Sequence, residues 1–137
     1  MNVFLDANIL ISVLNKEYPL FTYSSRILSL GGRHNITLFT SPLCLAIAFY
    51  FSAKKSGEVQ AKNKIKILSE KLRLTTINEE ITKSALNNPQ IHDFEDGMQY
   101  YSAVDKACKC IITEDREDFY FSGLEVLDCE QFILKYL

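Results

Sequence analysis

The sequence predicts an α/β protein, a parallel five-stranded sheet with helices on both faces, and three observations carry that reading. Strand-like runs of β-branched and aromatic residues alternate with segments of helical periodicity along the whole chain. The first run, Val3 to Leu5, is apolar throughout and suits a central strand covered on both sides. The chain has 137 residues, 47% hydrophobic and 12% aromatic, enough to bury one core and too few for two, so residues 1–137 read as a single domain.

Each element follows from its own residues. Val3 to Leu5 is the first strand, followed by a short helix from Asn8 to Leu14. Phe21, Ser24, Ile27, Leu28 and Leu30 mark a second helix, stopped by Gly31 and Gly32. Ile36 to Thr40 is a strand. Ser41 and Pro42 then open a helix to about Ala53, as its N-cap and first residue. Gly57 separates it from a basic amphipathic helix expected to bury Val59, Ile65, Leu68 and Leu72. Leu74 to Ile77 reads as a short strand, Glu80 to Leu86 as a helix, and Asn87, Asn88 and Pro89 as a break. Asp93 to Ala107 carries Phe94, Met98, Tyr101, Val104 and Cys108 as an apolar stripe at helical spacing. Ile111 and Ile112 form the fourth strand, Glu114 to Ser122 a loop, Leu124 to Leu127 the last strand, and a helix from Glu130 closes the chain.

Composition narrows the function. No segment approaches a membrane span, and the first apolar run is broken by Asp6 and Asn8, so a soluble cytoplasmic protein without a leader is expected. Cys44, Cys108, Cys110 and Cys129 lack the spacing of zinc or redox pairs and read as buried, reduced thiols. The net charge is only −2, but it is unevenly spread. Lys54, Lys55, Lys62, Lys64, Lys66, Lys71 and Arg73 face only Glu58 and Glu70, whereas acids crowd the stretch from Glu79 to Glu130. A lysine run is most often a solvated helix face. Beside an acid-rich stretch it also suits a metal-dependent enzyme acting on a polyanion, the cations holding phosphates and the acids the metal.

Three acidic groups stand at strand or helix ends. Asp6 ends the first strand, where open α/β sheets keep their chemistry; taken alone, Asp6 or Asn8 reads first as the N-cap of the following helix and only second as an active-site residue. Asp93, Glu95 and Asp96 occupy a first helical turn, which also favours acids through the helix dipole. Asp115 and Asp118 follow the fourth strand, in what is otherwise a solvated loop. If the strands ending at Asp6 and Thr113 are neighbours, the groups converge, and like-charge repulsion then calls for a cation. Oxygen donors without nearby Cys or His select hard ions, Mg²⁺ or Mn²⁺.

The opening VFLDANILI, the segment DFEDGMQYYSA and the following ITEDREDF, in this order, resemble the PIN domains, including the VapC-like toxin ribonucleases. The resemblance implies an α/β/α sandwich and a divalent metal, Mg²⁺ or Mn²⁺, held by three or four acids that cleave single-stranded RNA. By position, Asp6 matches the first acid and Asn8 the polar residue after it. Asp96 matches the later helical acid, with Asp93 and Glu95 as accessories. Asp115 matches the acid after the fourth strand, with Asp118 as the alternative, and Thr113 the hydroxyl residue opening that motif. Lys54, Lys55, Lys62, Lys64 and Lys66 are candidates to guide RNA. The resemblance also implies an antitoxin partner covering the acidic mouth, and a homodimer to which Tyr18, Leu20, Phe21 and Tyr23 contribute.

One position departs from the family pattern. A Glu is usual about six residues past the Ser that opens the helix after the second strand, and here Ile47 stands there, with no acid between Glu17 and Glu58. The alternative is therefore an impaired PIN-like domain acting as an RNA-binding or protein-interaction module. A regulatory domain with Asp6 as phosphoacceptor ranks last, for want of a distinctive Lys at a late strand end.

Overall fold

The computed structural model describes every residue from Met1 to Leu137. Its elements are β1 (Asn2–Leu5), α1 (Ala7–Leu14), α2 (Leu20–Leu28), β2 (Thr37–Thr40), α3 (Pro42–Ser56), α4 (Glu58–Ser69), β3 (Arg73–Leu74), α5 (Glu79–Asn87), α6 (Phe94–Asp105), β4 (Cys110–Ile112), β5 (Glu125–Leu127) and α7 (Cys129–Tyr136). A 3₁₀ turn, Arg116–Phe119, lies in the loop between β4 and β5.

The five strands form one sheet in the order β3-β2-β1-β4-β5, every neighbouring pair parallel. Phe4 at the centre sits between Phe39 of β2 and Ile111 of β4. Successive strand side chains point to opposite faces. Val3, Phe4 and Leu5 are all fully buried, as are Cys110, Ile111 and Ile112, so both faces are covered and the molecule is an α/β/α sandwich. On the helical layers, α1 packs against α2 and α3, α3 against α4, and α2 against α7, while α5 packs against α6. The chain moves outward from β1 through β2 to β3, then returns to the other side of β1 at β4. That reversal puts a crevice between the C-terminal ends of β1 and β4.

Polar caps set the helix starts. Ser41 accepts from the Cys44 amide at 2.9 Å, Asn78 from Ile81 at 2.9 Å and Asp93 from Asp96 at 3.1 Å. Asp128 and Gln131 form a reciprocal capping box on α7. Gly57 joins α3 to α4 with φ +84° and ψ 159°, backbone territory that only glycine enters without strain. All four cysteines are free and buried, as expected. No helix is long and apolar enough to cross a membrane.

Several expectations need correction. The strand expected over Leu74 to Ile77 is β3, Arg73–Leu74, because its partner β2 ends at Thr40, and the Thr75 amide makes the last ladder bond to that carbonyl at 2.8 Å. Leu30 lies beyond the end of α2 at Leu28, although it is buried. Val59 is 77% exposed, and Ala61 takes its place on the buried side of α4 beside Leu68. The stripe on α6 is not its buried face: Phe94 and Val104 are exposed, whereas Gly97, Gln99, Ser102 and Ala103 are buried. Close approach decides this. A Cβ at Gly97 would stand 3.0 Å from Ala85 Cβ and from Ile91 Cγ2, so the contact selects small residues over large apolar ones.

Candidate active site

Asp6 lies where β1 becomes α1. Its amide extends the sheet by donating to the Ile112 carbonyl at 3.0 Å, and its Oδ1 accepts from the Ala7 amide at 2.8 Å, so it caps α1 as the cap reading requires. Its second oxygen points across the crevice. The Thr113 hydroxyl, just past β4, donates to Asp6 Oδ2 at 2.9 Å and accepts from Asn8 Nδ2 and the Asp115 amide, both at 3.1 Å. One donor and two acceptors exhaust a hydroxyl, so Thr113 is fully committed. Asn8 completes the link: Nδ2 donates to Asp115 Oδ2 at 3.2 Å, and Oδ1 accepts from the Glu114 amide at 3.3 Å. Asp6, Asn8, Thr113 and Asp115 are thus one hydrogen-bonded unit spanning β1 and β4.

The α6 acids approach the same mouth. Burial first, then the charges of Asp93, Asp6, Asp118 and Glu95, push the Asp96 carboxyl up to about 7. Burial also raises Asp6, against the pull of its Thr113 and Ala7 hydrogen bonds and with added repulsion from Asp115 and Asp118. Glu95 is raised by burial, Asp93 and Asp6, and Asp118 by partial burial, Asp115, Glu117 and Asp93. These mutual repulsions tie Asp6, Asp93, Glu95, Asp96, Asp115 and Asp118 to one electrostatic neighbourhood. Glu114 faces elsewhere and accepts from the Cys129 amide at the start of α7 at 3.1 Å.

Convergence is not coordination. No group of three or more Asp, Glu, His or Cys side chains is placed to hold a metal ion by itself. The donor chemistry nonetheless fits a hard cation: the oxygens are carboxylates, their repulsion favours positive charge, and Mg²⁺ keeps several waters while taking one or two carboxylates.

Three residues at the site escaped the sequence reading. The Cys44 thiol on α3 lies 3.9 Å from Asp6 Oδ1, and burial, followed by the Asp6 charge, lifts it to about 12, a neutral wall rather than a ligand. Ile47, three residues on, shares that helical face and packs partly buried against the core. Gln99, on α6 one turn past Asp96, is fully buried; its Oε1 accepts from the Ser41 hydroxyl and its Nε2 has no partner. The Tyr120 hydroxyl, just past the 3₁₀ turn, donates to the Gln90 carbonyl and accepts from the His92 amide at 3.1 Å, pinning the segment before Asp93 to the segment after Asp118. A cysteine in an apolar helix, a glutamine between Met98 and Tyr100 and a loop tyrosine carry no pattern that marks them.

The lysines divide. Lys55 Nζ donates to the Asn15 carbonyl at 2.6 Å, Lys64 Nζ to Ser56 Oγ at 3.0 Å, and Lys54 lies 4.4 Å above the Tyr50 ring. Lys62 and Lys66 are exposed four residues apart on α4, and so on one face.

Comparison with known proteins bears on the family and the fold. Residues 2–117 match the family model described as PIN domain. Ribonuclease VapC1 of Aquifex aeolicus is 25% identical over 134 residues, which cover 95% of this chain and 92% of that protein. Among solved structures, VapBC2 from Rickettsia felis, bound to a DNA fragment from their promoter, matches with a TM-score of 0.70 at 18% identity, over 93% of this chain and 98% of that one. VapC20 of Mycobacterium tuberculosis, a sarcin-ricin loop cleaving toxin, matches with a TM-score of 0.70 at 16% identity, over 89% and 95%. At these identities the structural likenesses speak for the fold.

Proposed function

The chain belongs to the PIN domain family, and from that premise we infer that it is a metal-dependent ribonuclease cleaving single-stranded RNA, the toxin of a toxin–antitoxin pair. The observation that carries the reading is the gathering of carboxylates at the β1–β4 crevice, which leaves Asp96 near pKa 7 and Asp6 raised. Carboxylates kept so close repel one another unless a cation neutralises them.

In this reading Asp6 and Asp96 hold the ion, with Asp115 or Asp118 completing the set. A Mg²⁺ or Mn²⁺ ion bound there supplies water activation and charge neutralisation for in-line displacement at phosphorus. Thr113 and Asn8 fix the Asp6 and Asp115 oxygens before any ligand arrives, so little ordering is needed on binding. Asp93 and Glu95 keep the mouth negative. Lys62 and Lys66, free of internal partners, are the lysines placed to meet phosphates. Tyr18, 70% exposed, and its ring neighbour Phe21 offer apolar surface for a second copy. An antitoxin peptide covering the mouth is the expected regulator, and the Rickettsia relative was solved as VapBC2 on promoter DNA.

One observation favours a second reading, an impaired domain that binds RNA without cutting it: Ile47 occupies the position where an acid is usual. Cleavage separates the two. Single-stranded RNA should be cut by the wild type with Mg²⁺ or Mn²⁺ and not with a chelator, and Asp6→Asn should reduce cutting to the chelator background with the fold intact, because Asn still caps α1. Equal background cutting by both proteins would remove the nuclease reading.

A further inference from the structure

We propose that the paired rings of Tyr120 and His92 form a stacking platform for one base of single-stranded RNA at the rim of the acidic mouth, an inference that rests on the RNA substrate inferred above. Both rings flank the acids: His92 immediately precedes Asp93, and Tyr120 follows Asp118 by two residues. Their centroids are 5.7 Å apart at an interplanar angle of 29°, a stacked pair. Tyr120 is 56% exposed although Phe119 beside it is a core anchor at 2%. An exposed tyrosine normally keeps its rotational freedom, and this one does not.

Its hydroxyl is held from both sides by Gln90 and His92, and its ring is braced edge-on by Phe121 at 5.3 Å and 88°. Phe121 is in turn braced edge-on by Tyr100 at 5.3 Å. The result is an aromatic surface fixed in advance, so stacking a base on it immobilises little further protein. Every base presents a π-face, and base–aromatic stacking tolerates sequence while adding affinity beyond phosphate contacts. The simpler role, a hydroxyl pin between two loops, needs the oxygen and not the ring. That difference makes the two separable.

The test uses the full chain with chelator present, so that RNA stays intact, and single-stranded RNA oligomers lacking one base at successive positions. Tyr120→Ala should lose roughly tenfold in RNA affinity, a typical loss for one stacked base, whereas Tyr120→Phe and Tyr120→Trp, which lose the hydroxyl anchor and keep an aromatic face beside Phe121, keep most of it. The chain has no tryptophan, so the Tyr120→Trp indole is a lone reporter, and its emission should be quenched by RNA. One abasic position should weaken binding to the wild type and leave the Tyr120→Ala variant unaffected. A Phe variant as weak as the Ala variant, or no abasic position that separates wild type from Ala, would overturn the platform. Ring-dependent binding with no Mn²⁺-dependent cleavage would contradict the nuclease reading and leave the platform standing; cleavage without ring dependence would do the reverse. No RNA binding at all would sink both.

Discussion

Asp6 shows how one side chain answers to two demands. One oxygen caps α1 and the other is held by Thr113 across the crevice, so the carboxylate is aimed before it has anything to bind. Asp96 lacks such restraints and registers the crowding instead, with a carboxyl pushed up to about 7 by burial and its acidic neighbours. The consequence for stability has a definite sign. A folded-state pKa above the unfolded value means that the native protein holds more protons between about pH 4 and 7, so metal-free stability falls as pH rises through that window. Melting temperature without divalent ions should therefore drop from pH 5 to pH 7.5, and Asp96→Asn should flatten the drop. Asp6, Glu95 and Asp118 are raised too and act in the same direction. A slope of opposite sign would contradict the convergence of these acids. Which acids gather at the crevice was readable from their places after strands and at a helix start. Their supports were not, because Cys44 and Gln99 reach the site through tertiary packing that leaves no local trace.

Helix α3 is where the sequence pattern and the family pattern disagree. Ser41 and Pro42 fix its start, and Cys44 beside Asp6 fixes the face it turns to the mouth. Ile47 is one turn further on that face. Ile47→Glu should therefore supply the missing carboxylate and raise Mn²⁺ affinity in calorimetric titration, with lower metal-free stability because a charge enters a partly buried apolar contact. Unchanged or weaker binding would mean that this face of α3 does not look into the mouth. Helix starts were legible because caps are local chemistry: Ser41, Asp93 and Asp6 all cap as their sequence context indicates. The inward face of α6 was not, since periodicity favoured Phe94 and Val104 while close packing on Ala85 and Ile91 required Gly97. Edge strand β3 was misplaced for a similar reason, its length being set by where β2 stops.

For the entire chain, the separation of basic and acidic stretches places the lysines on α3 and α4 and the acids at the sheet crevice, and in the proposed reading the first meet RNA and the second the metal. Of the five lysines singled out to guide RNA, Lys62 and Lys66 keep their charges free of internal partners, so replacing both with alanine should weaken RNA binding and lower the slope of log affinity against log salt by roughly 1.4, the counterion release of two single-strand phosphate contacts. A slope unchanged from wild type would mean that RNA does not pass along α4. The alternation of strands and helices sufficed to read the parallel sheet, and β1 at its centre followed from a run apolar on both faces. The strand order made the rest intelligible, because it brings the ends of β1 and β4 side by side. The central claim is that a hard cation occupies this crevice, held by Asp6 and Asp96. Anomalous diffraction from Mn²⁺-soaked crystals above pH 7, where Asp96 is ionised, tests it most directly. The expected result is a Mn²⁺ peak about 2.1 Å from carboxylate oxygens of both residues, by analogy with hard-cation coordination; a crevice without Mn²⁺ in protein that still cleaves RNA would contradict it.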